Sequence, residues 1–322
     1  MNPSSKNKPI VLVALGGHAF MKKNEDAGVA VHEKNAAEIC GILADLVDNK
    51  YKIVITHGNG PQVGNLLLLN ESGDPSVPRM PLDVLVAQTE GSLGYFLQQA
   101  MLNELLRRGH EKYVMTVVSQ VLVDGADPAF KSPRKPVGPF LSQAEAGARR
   151  ENLGWNISED PAGRGWRRLV PSPKPVRVVQ WRMIKESAEA GHIVIACGGG
   201  GVPVVEKADG GVEGVEAVID KDLTSSILAT QIGAEILVIL TEVPNVYQDF
   251  NTPEERPITA VTVEELREMQ QSGAFPAGSM GPKVQAAVDF LDRGGKRAVI
   301  TDPEHLLSAL SGRGGTHVIG AC

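Results

Sequence analysis

Cysteine is scarce in this chain: 322 residues contain three, Cys40, Cys197 and Cys322. They are odd in number, far apart and without metal-ligand spacing, which excludes a disulfide framework and a cysteine-built zinc site. Cys40 and Cys197 are expected to be small core residues in a reducing compartment. No apolar run approaches the ~20 residues of a membrane helix. The N-terminal stretch 1–8 is polar and lacks an apolar core, so it is expected to be a disordered tail and not a signal peptide. A cytoplasmic chain is the resulting expectation. The net charge of −6 argues against a general nucleic-acid binder. A small anionic ligand stays open, because local basic clusters matter more than the total. The Walker A phosphate loop, the protein-kinase signatures and the G-x-G-x-x-G dinucleotide pattern are all missing. So are HExxH and GxSxG.

What the chain has in quantity is glycine (35) and proline (21), neither of them periodic. The most informative stretch is Gly198-Gly199-Gly200-Gly201, directly after the apolar run Ile193–Cys197. Glycine loses the most freedom on folding. Such a run persists where backbone approaches something closely or takes positive φ. A strained turn and an anion cradle are both open at this point.

Apolar runs at Ile10–Leu15, Lys52–Thr56, Ile193–Cys197, Ile236–Leu240 and Arg297–Thr301 read as buried parallel strands. Strand-like residues also fill Tyr113–Val123. Helical patterns cover Glu33–Val47, the segment after Pro61, Leu82–Arg108, Val176–Glu189, Lys221–Ile232, Val263–Gln271, the segment after Pro282, and Pro303–Leu310. Thr262 with Glu265 makes a capping box. Strands alternating with helices imply a parallel sheet covered on both faces, with ligands beyond the carboxyl ends of the strands.

Asp124–Pro175 breaks the alternation. It is rich in proline, holds Trp155 and Trp166, and clusters Lys131, Arg134, Lys135, Arg149, Arg150, Arg164, Arg167, Arg168 and Lys174. The organisation expected is one domain over 9–322 with an inserted lid at 124–175.

Four glycine turns can each present backbone N–H groups to an anion: Gly16-Gly17, Gly58-Asn59-Gly60, Gly198–Gly201 and Gly278–Lys283. Together they point to a multiply charged ligand. Asp220 is a reasonable N-cap, which places Lys221 in a first helical turn, where the helix dipole disfavours a cation. An anion sharing the site would explain it, with Asp222 orienting Lys221 or Lys283. A capped helix with a surface salt bridge is the plain alternative. Moving a phosphoryl group between two anions needs positive charge and in-line placement, and no protein nucleophile.

At this point the residues resemble a family. Val13-Ala14-Leu15-Gly16-Gly17, His57-Gly58-Asn59-Gly60-Pro61-Gln62-Val63-Gly64-Asn65 and Lys135-Pro136-Val137-Gly138-Pro139-Phe140 look like carbamate kinase. So do Gly163–Arg167, Val170–Pro173, Gly198–Pro203, Glu216–Asp222 and Gly278–Lys283. Order and spacing match from about residue 9 to 320. The resemblance implies a three-layer αβα sandwich of the amino-acid-kinase type, with a mainly parallel central sheet and a protruding lid, in a homodimer. It implies Mg²⁺-dependent, reversible conversion of ATP and carbamate to ADP and carbamoyl phosphate, running toward ATP in catabolism.

Carried over by position, Gly16, Gly17, Gly58, Asn59, Gly60, Gly199 and Gly200 would cradle carbamate and the transferring phosphoryl group, with His18 beside them. Lys221 and Lys283 would neutralise phosphoryl charge, Asp222 would hold them, and Lys131 would reach in from the lid. Thr241, Tyr247, Gly278, Ser279, Met280 and Gly281 would line the nucleotide side. Mg²⁺ would be held mainly by nucleotide phosphates, not by protein metal ligands. His18 stands where the family usually has asparagine, which implies activity with more pH dependence near neutrality. Glu242-Val243-Pro244-Asn245 also departs from the family's usual string. A kinase of another small carboxylate, and a non-catalytic sensor of nucleotide or carbamoyl phosphate, remain as alternatives.

Overall fold

The apolar run at the start of the chain forms a fully buried strand, β1 (Ile10–Leu15). Around it the structure, a computed structural model, describes residues 9–16, 20–21, 25, 28–74, 76–160, 163–275 and 278–320. The expected tail at 1–8, and both Gly17 and His18, lie outside the described residues.

After β1 come α1 (Val29–Asp48), β2 (Lys52–His57), α2 (Gln62–Ser72), α3 (Leu82–Arg107), β3 (Val114–Val117) and β4 (Gln120–Val123). The inserted stretch holds α4 (Pro128–Lys131), β5 (Lys135–Leu141), α5 (Gln143–Leu153), β6 (Ile157–Glu159) and β7 (Trp166–Val170). The chain leaves it through β8 (Pro175–Val178), α6 (Trp181–Glu189) and β9 (Ile193–Ala196). β10 (Val202–Glu206), β11 (Val212–Gly214), α7 (Lys221–Gln231) and β12 (Ile236–Leu240) follow the glycine run. The last part comprises β13 (Val246–Gln248), β14 (Arg256–Ile258), β15 (Ala260–Thr262), α8 (Val263–Gln271), α9 (Met280–Asp292), β16 (Arg297–Thr301), α10 (Leu306–Leu310) and β17 (Thr316–Ile319).

Eight strands form the central sheet in the order β15-β17-β16-β12-β1-β2-β9-β3. Every neighbouring pair is parallel except β16 with β17. Because side chains alternate across a strand, the two faces have separate cores. Leu12, Ala14 and Val54 pack under α6, α7, α8 and α9. Val11, Val13, Ile53 and Ile55 pack under α1, α3 and α10. The result is the expected α/β architecture of three layers around a mainly parallel sheet. Among the described residues no helix is long and apolar enough to cross a membrane.

Two local readings change. Tyr113–Val123 is not one strand: β3 edges the central sheet, whereas β4 turns into a second sheet, β11-β10-β4-β8. Val176–Glu189 is not all helix either. Its start is β8, antiparallel to β4, and α6 begins at Trp181. Val176 and Val178 are β-branched and suit the strand they form.

The insertion builds its own antiparallel sheet, β5-β7-β6. It is anchored by a small core in which Val137 and Val170 pack on Val63 and Leu67 of α2 and Leu82, Leu85 and Val86 of α3. Gly64 permits this approach, since a Cβ there would fall on the Cα of Gly138.

Candidate active site

Gly16, Gly58–Gly60 and Gly198–Gly201 follow parallel strands, and Gly278–Lys283 leads into α9. β1 ends at Leu15, whose carbonyl accepts from Gly58 N at 3.2 Å, so the Gly58–Gly60 turn sits at the end of β1. The run after β9 explains its own composition. Gly199, Gly200 and Gly201 have φ of 67°, 99° and 83°, a region that disfavours any other residue. A Cβ on Gly199 would strike the Asn59 side chain, and one on Gly200 the Ile219 carbonyl. The run is therefore a close-packed joint between the β2–α2 turn and the start of α7.

α7 carries the chemistry. Asp220 caps it, its Oδ1 accepting from Asp222 N at 2.9 Å and Leu223 N at 3.2 Å. Thr224 Oγ1 donates to Gly200 O at 2.9 Å, which locks the helix to the glycine run. Lys221 Nζ donates to Asp222 Oδ1 at 2.6 Å, and Lys283 Nζ, from the first turn of α9, donates to Asp222 Oδ2 at 2.9 Å. Asp222 is 4% exposed, and the two lysines 13% and 14%. Burial raises the Asp222 pKa, but the two ammonium groups outweigh burial and hold the carboxyl below its usual range. Burial lowers that of Lys221, against the pull of Asp222 and with a further push from Lys283. One carboxylate between two ammonium groups leaves net positive charge in a place where water is scarce.

A cation in the first turn opposes the helix dipole by about 0.3–1 kcal/mol. The bond to Asp222 offsets part of that, and an anion bound ahead of α7 would offset the rest. The plain alternative of a surface salt bridge is set aside, because neither lysine is at the surface.

A cavity of about 1000 Å³ opens beside this cluster. Gly16, Lys221, Thr241, Tyr247, Gly278, Ser279, Met280 and Lys283 line it, as do Glu242 and Val243. Tyr247 and Phe250, with ring centroids 5.8 Å apart, give it an aromatic wall. Gly281 is in α9 but not in the lining. Gly58, Asn59, Gly60, Gly199 and Gly200 lie at the strand ends instead, and Asn59 Nδ2 is buried there with no hydrogen-bond partner. Of the predicted residues the structure thus brings together Lys221, Asp222 and Lys283, and places five of the six nucleotide-side residues around one cavity.

Lys131 is not part of that group. It ends α4 with an exposed side chain. The lysine of the inserted stretch that reaches the start of α7 is Lys135, whose Nζ donates to Ile219 O at 3.0 Å and lies 3.8 Å from Asp220. Burial lowers its pKa, with Asp220 and Asp222 opposing. The signal for Lys135 was present in the Lys135–Phe140 string. Asn35, Ile39 and Ile42 of α1 also line the cavity, and only the fold could show that.

Residues 9–302 match the amino acid kinase family, and the chain belongs to it. Within that family it groups with the carbamate kinases. It is 46% identical to the carbamate kinase of Pyrococcus horikoshii over 310 residues, spanning 96% of this chain and 98% of that one. It is 42% identical to the carbamate kinase-like protein YahI of Escherichia coli over 97% of this chain and 99% of that one. The structure of carbamate kinase from Giardia lamblia bound to AMP-PNP superposes with a TM-score of 0.91 at 38% identity, covering 98% of this chain and 99% of that one.

Proposed function

We propose that this chain is a carbamate kinase: it passes a phosphoryl group reversibly between ATP and carbamate, giving ADP and carbamoyl phosphate. The observation that carries the reading is the Lys221–Asp222–Lys283 cluster at the head of α7, set between the glycine turns and the large cavity. The Pyrococcus and Giardia relatives, both named carbamate kinase, support it.

In the direction toward ATP, a β-phosphate oxygen of ADP attacks the phosphorus of carbamoyl phosphate. A new P–O bond forms, the bond to the carbamoyl oxygen breaks, and its electron pair leaves with carbamate. Lys221 and Lys283 meet the charge on the phosphoryl oxygens. Asp222 fixes both ammonium groups in advance, so no reorganisation is needed as charge shifts. Of the glycine N–H groups, those of Gly60 and Gly199 would face the anion, since Gly58, Gly198, Gly200 and Gly201 donate within the chain and Asp220 takes the Asp222 and Leu223 N–H groups. The nucleotide occupies the cavity, its base toward Tyr247 and Phe250. Lys135 closes the carbamoyl phosphate side from the lid.

Mg²⁺ comes with the nucleotide. Both Asp222 oxygens are already held by lysines, and the described residues contain no group of three or more His, Cys, Asp or Glu side chains fit to bind a metal. Nucleotide phosphates would be its main ligands, and it would neutralise their charge. The enzyme works in the cytoplasm as a homodimer. Exposed Tyr95, Leu102 and Leu106 on α3, beside Tyr113 and Val118 at the β3 edge, support that pairing.

Mixing the protein with Mg-ADP and carbamoyl phosphate is expected to yield ATP in a coupled luminescence assay. No ATP above the uncatalysed background rejects the reading. In the same assay Lys135→Ala is expected to lower kcat/KM for carbamoyl phosphate by about 10²-fold, the order seen when a charge-stabilising donor is lost. Lys131→Ala is expected to change it by less than about twofold, in keeping with an exposed side chain. Equal losses would show that the lid works through Lys131 as well.

A further inference from the structure

One set of contacts at the cleft plays no part in the mechanism above: α1 grips the Gly58–Gly60 turn at both ends. At the far end, Gln62 opens α2 and is buried. Its backbone N donates to Asn59 O at 2.9 Å, which closes the turn. Its side-chain Nε2 lies 2.9 Å from Nε2 of His32, near the start of α1. An amide nitrogen only donates, so Gln62 is the donor, His32 Nε2 accepts, and the neutral ring carries its own proton on Nδ1.

Among the described residues, the His32 bond is the one hydrogen bond of this amide, for Gln62 Oε1 is buried and has no partner. His32 is itself well fixed. It is buried, and its ring stacks on Phe96 of α3 with centroids 5.6 Å and planes 11° apart. Burial also lowers its pKa, with a Gly28 backbone bond opposing, which favours the neutral form that can accept.

At the near end, His57 closes β2, and its ring meets the edge of Phe20 at 5.3 Å between centroids. Asn35 of α1 donates from Nδ2 to Phe20 O at 3.2 Å. His32 and Asn35 share one face of α1, because residues three apart are neighbours on a helix. Asn35 also lines the large cavity, as do Glu38, Ile39 and Ile42 further along. α1 therefore serves both halves of the cleft: it walls the nucleotide side and holds the turn that carries the Gly60 N–H.

We propose that His32 is a positioning residue for phosphoryl transfer: its Nε2 accepts from the Gln62 amide and so fixes the Gly58–Gly60 turn against the helix that walls the nucleotide cavity. This role rests on the reading of the cleft as a phosphoryl-transfer site. His32 acts through Gln62, and Gln62 acts through Asn59. Loss of the acceptor leaves a buried amide with no partner, which costs more than the bond itself contributes. The turn then shifts relative to α1, so the carbamoyl phosphate side suffers while the nucleotide cavity keeps its wall.

The test is steady-state kinetics for both substrates on single and double variants, with ring ¹⁵N shifts of His32. His32→Phe keeps a ring against Phe96 and removes the acceptor. It is expected to lower kcat/KM for carbamoyl phosphate about tenfold, one buried hydrogen bond's worth, and to leave KM for ADP within about twofold. His32→Gln brings an amide oxygen within reach of Gln62 and is expected to recover most of that loss. Gln62→Met is expected to match His32→Phe, and the double variant to be no slower than either alone, since both remove the same bond. In the wild type at neutral pH, Nε2 is expected to show the shift of an unprotonated nitrogen and Nδ1 that of a protonated one. Gln62→Met is expected to move the Nε2 shift. A protonated wild-type Nε2, or one indifferent to Gln62→Met, overturns the bond without need of a His32 variant that folds. Unchanged kinetics in His32→Phe, or KM raised equally for both substrates, overturns the positioning role and leaves His32 a packing residue. If the wild type forms no ATP, the carbamate kinase reading falls, and the Nε2 shift still decides whether His32 and Gln62 are bonded.

Discussion

Replacing Asp222 with alanine is expected to lower kcat by about 10²–10³ and to destabilise the fold by about 3–5 kcal/mol. Both effects have one origin. Asp222 accepts from Lys221 and from Lys283, and neither lysine is more than 14% exposed. Without the carboxylate, two ammonium groups sit close together with no counter-charge and little water. The lysines then swing apart, and the phosphoryl group loses its preset charge. Melting curves with and without Mg-ADP separate the two parts. Nucleotide phosphates supply the missing negative charge, so ligand should raise the Tm of Asp222→Ala more than that of the wild type. Equal shifts would mean that the lysines do not meet the phosphates.

Lys221→Ala is expected to cost about 10²–10³ in kcat with little change in KM for ADP. The reasoning is differential binding: the charge on the transferring oxygens grows in the transition state, so a fixed cation there acts on kcat first. Stability should change far less than in Asp222→Ala, since Asp222 keeps Lys283 as a partner. Lys221→Arg retains charge, but its planar fork does not fit a site built around a compact ammonium. It is expected to recover only a small part of the rate. Steady-state kinetics with varied ADP measures both. A raised KM at unchanged kcat would place Lys221 in ground-state nucleotide binding instead.

Much of this was legible in the sequence where one residue type has one physical reason to be there. Apolar runs marked β1, β2, β9, β12 and β16, because strands buried on both faces have no polar alternation to hide them. Asp220 and Thr262 marked helix starts, since both side chains accept backbone N–H groups that would otherwise lack partners. The cluster at α7 was legible through a lysine placed against the helix dipole. What failed depended on distant packing. No glycine or proline marks the point between β3 and β4 where the chain changes sheets. The joint there is Ser119, whose Oγ accepts from Cys197 N at 2.9 Å, across 78 residues of sequence. Lys131 and Lys135 lie four residues apart in one basic stretch. Only the pairing of β5 with β7 and the docking of both on α2 decide which one reaches Asp220. The glycine run is now accounted for: its residues are small because Asn59, Ile219, Val121, His57 and Glu90 crowd against it.

Lys221, Asp222 and Lys283 are expected to serve direct phosphoryl transfer between carbamoyl phosphate and ADP. The most direct measurement follows ³¹P resonances of wild type and Lys221→Ala with Mg-ADP and carbamoyl phosphate. Carbamoyl phosphate phosphorus is expected to move into the γ-position of ATP in the wild type, and this transfer is expected nearly to stop in the variant. Inorganic phosphate as the sole product, or an equal rate of ATP formation in both proteins, would contradict it.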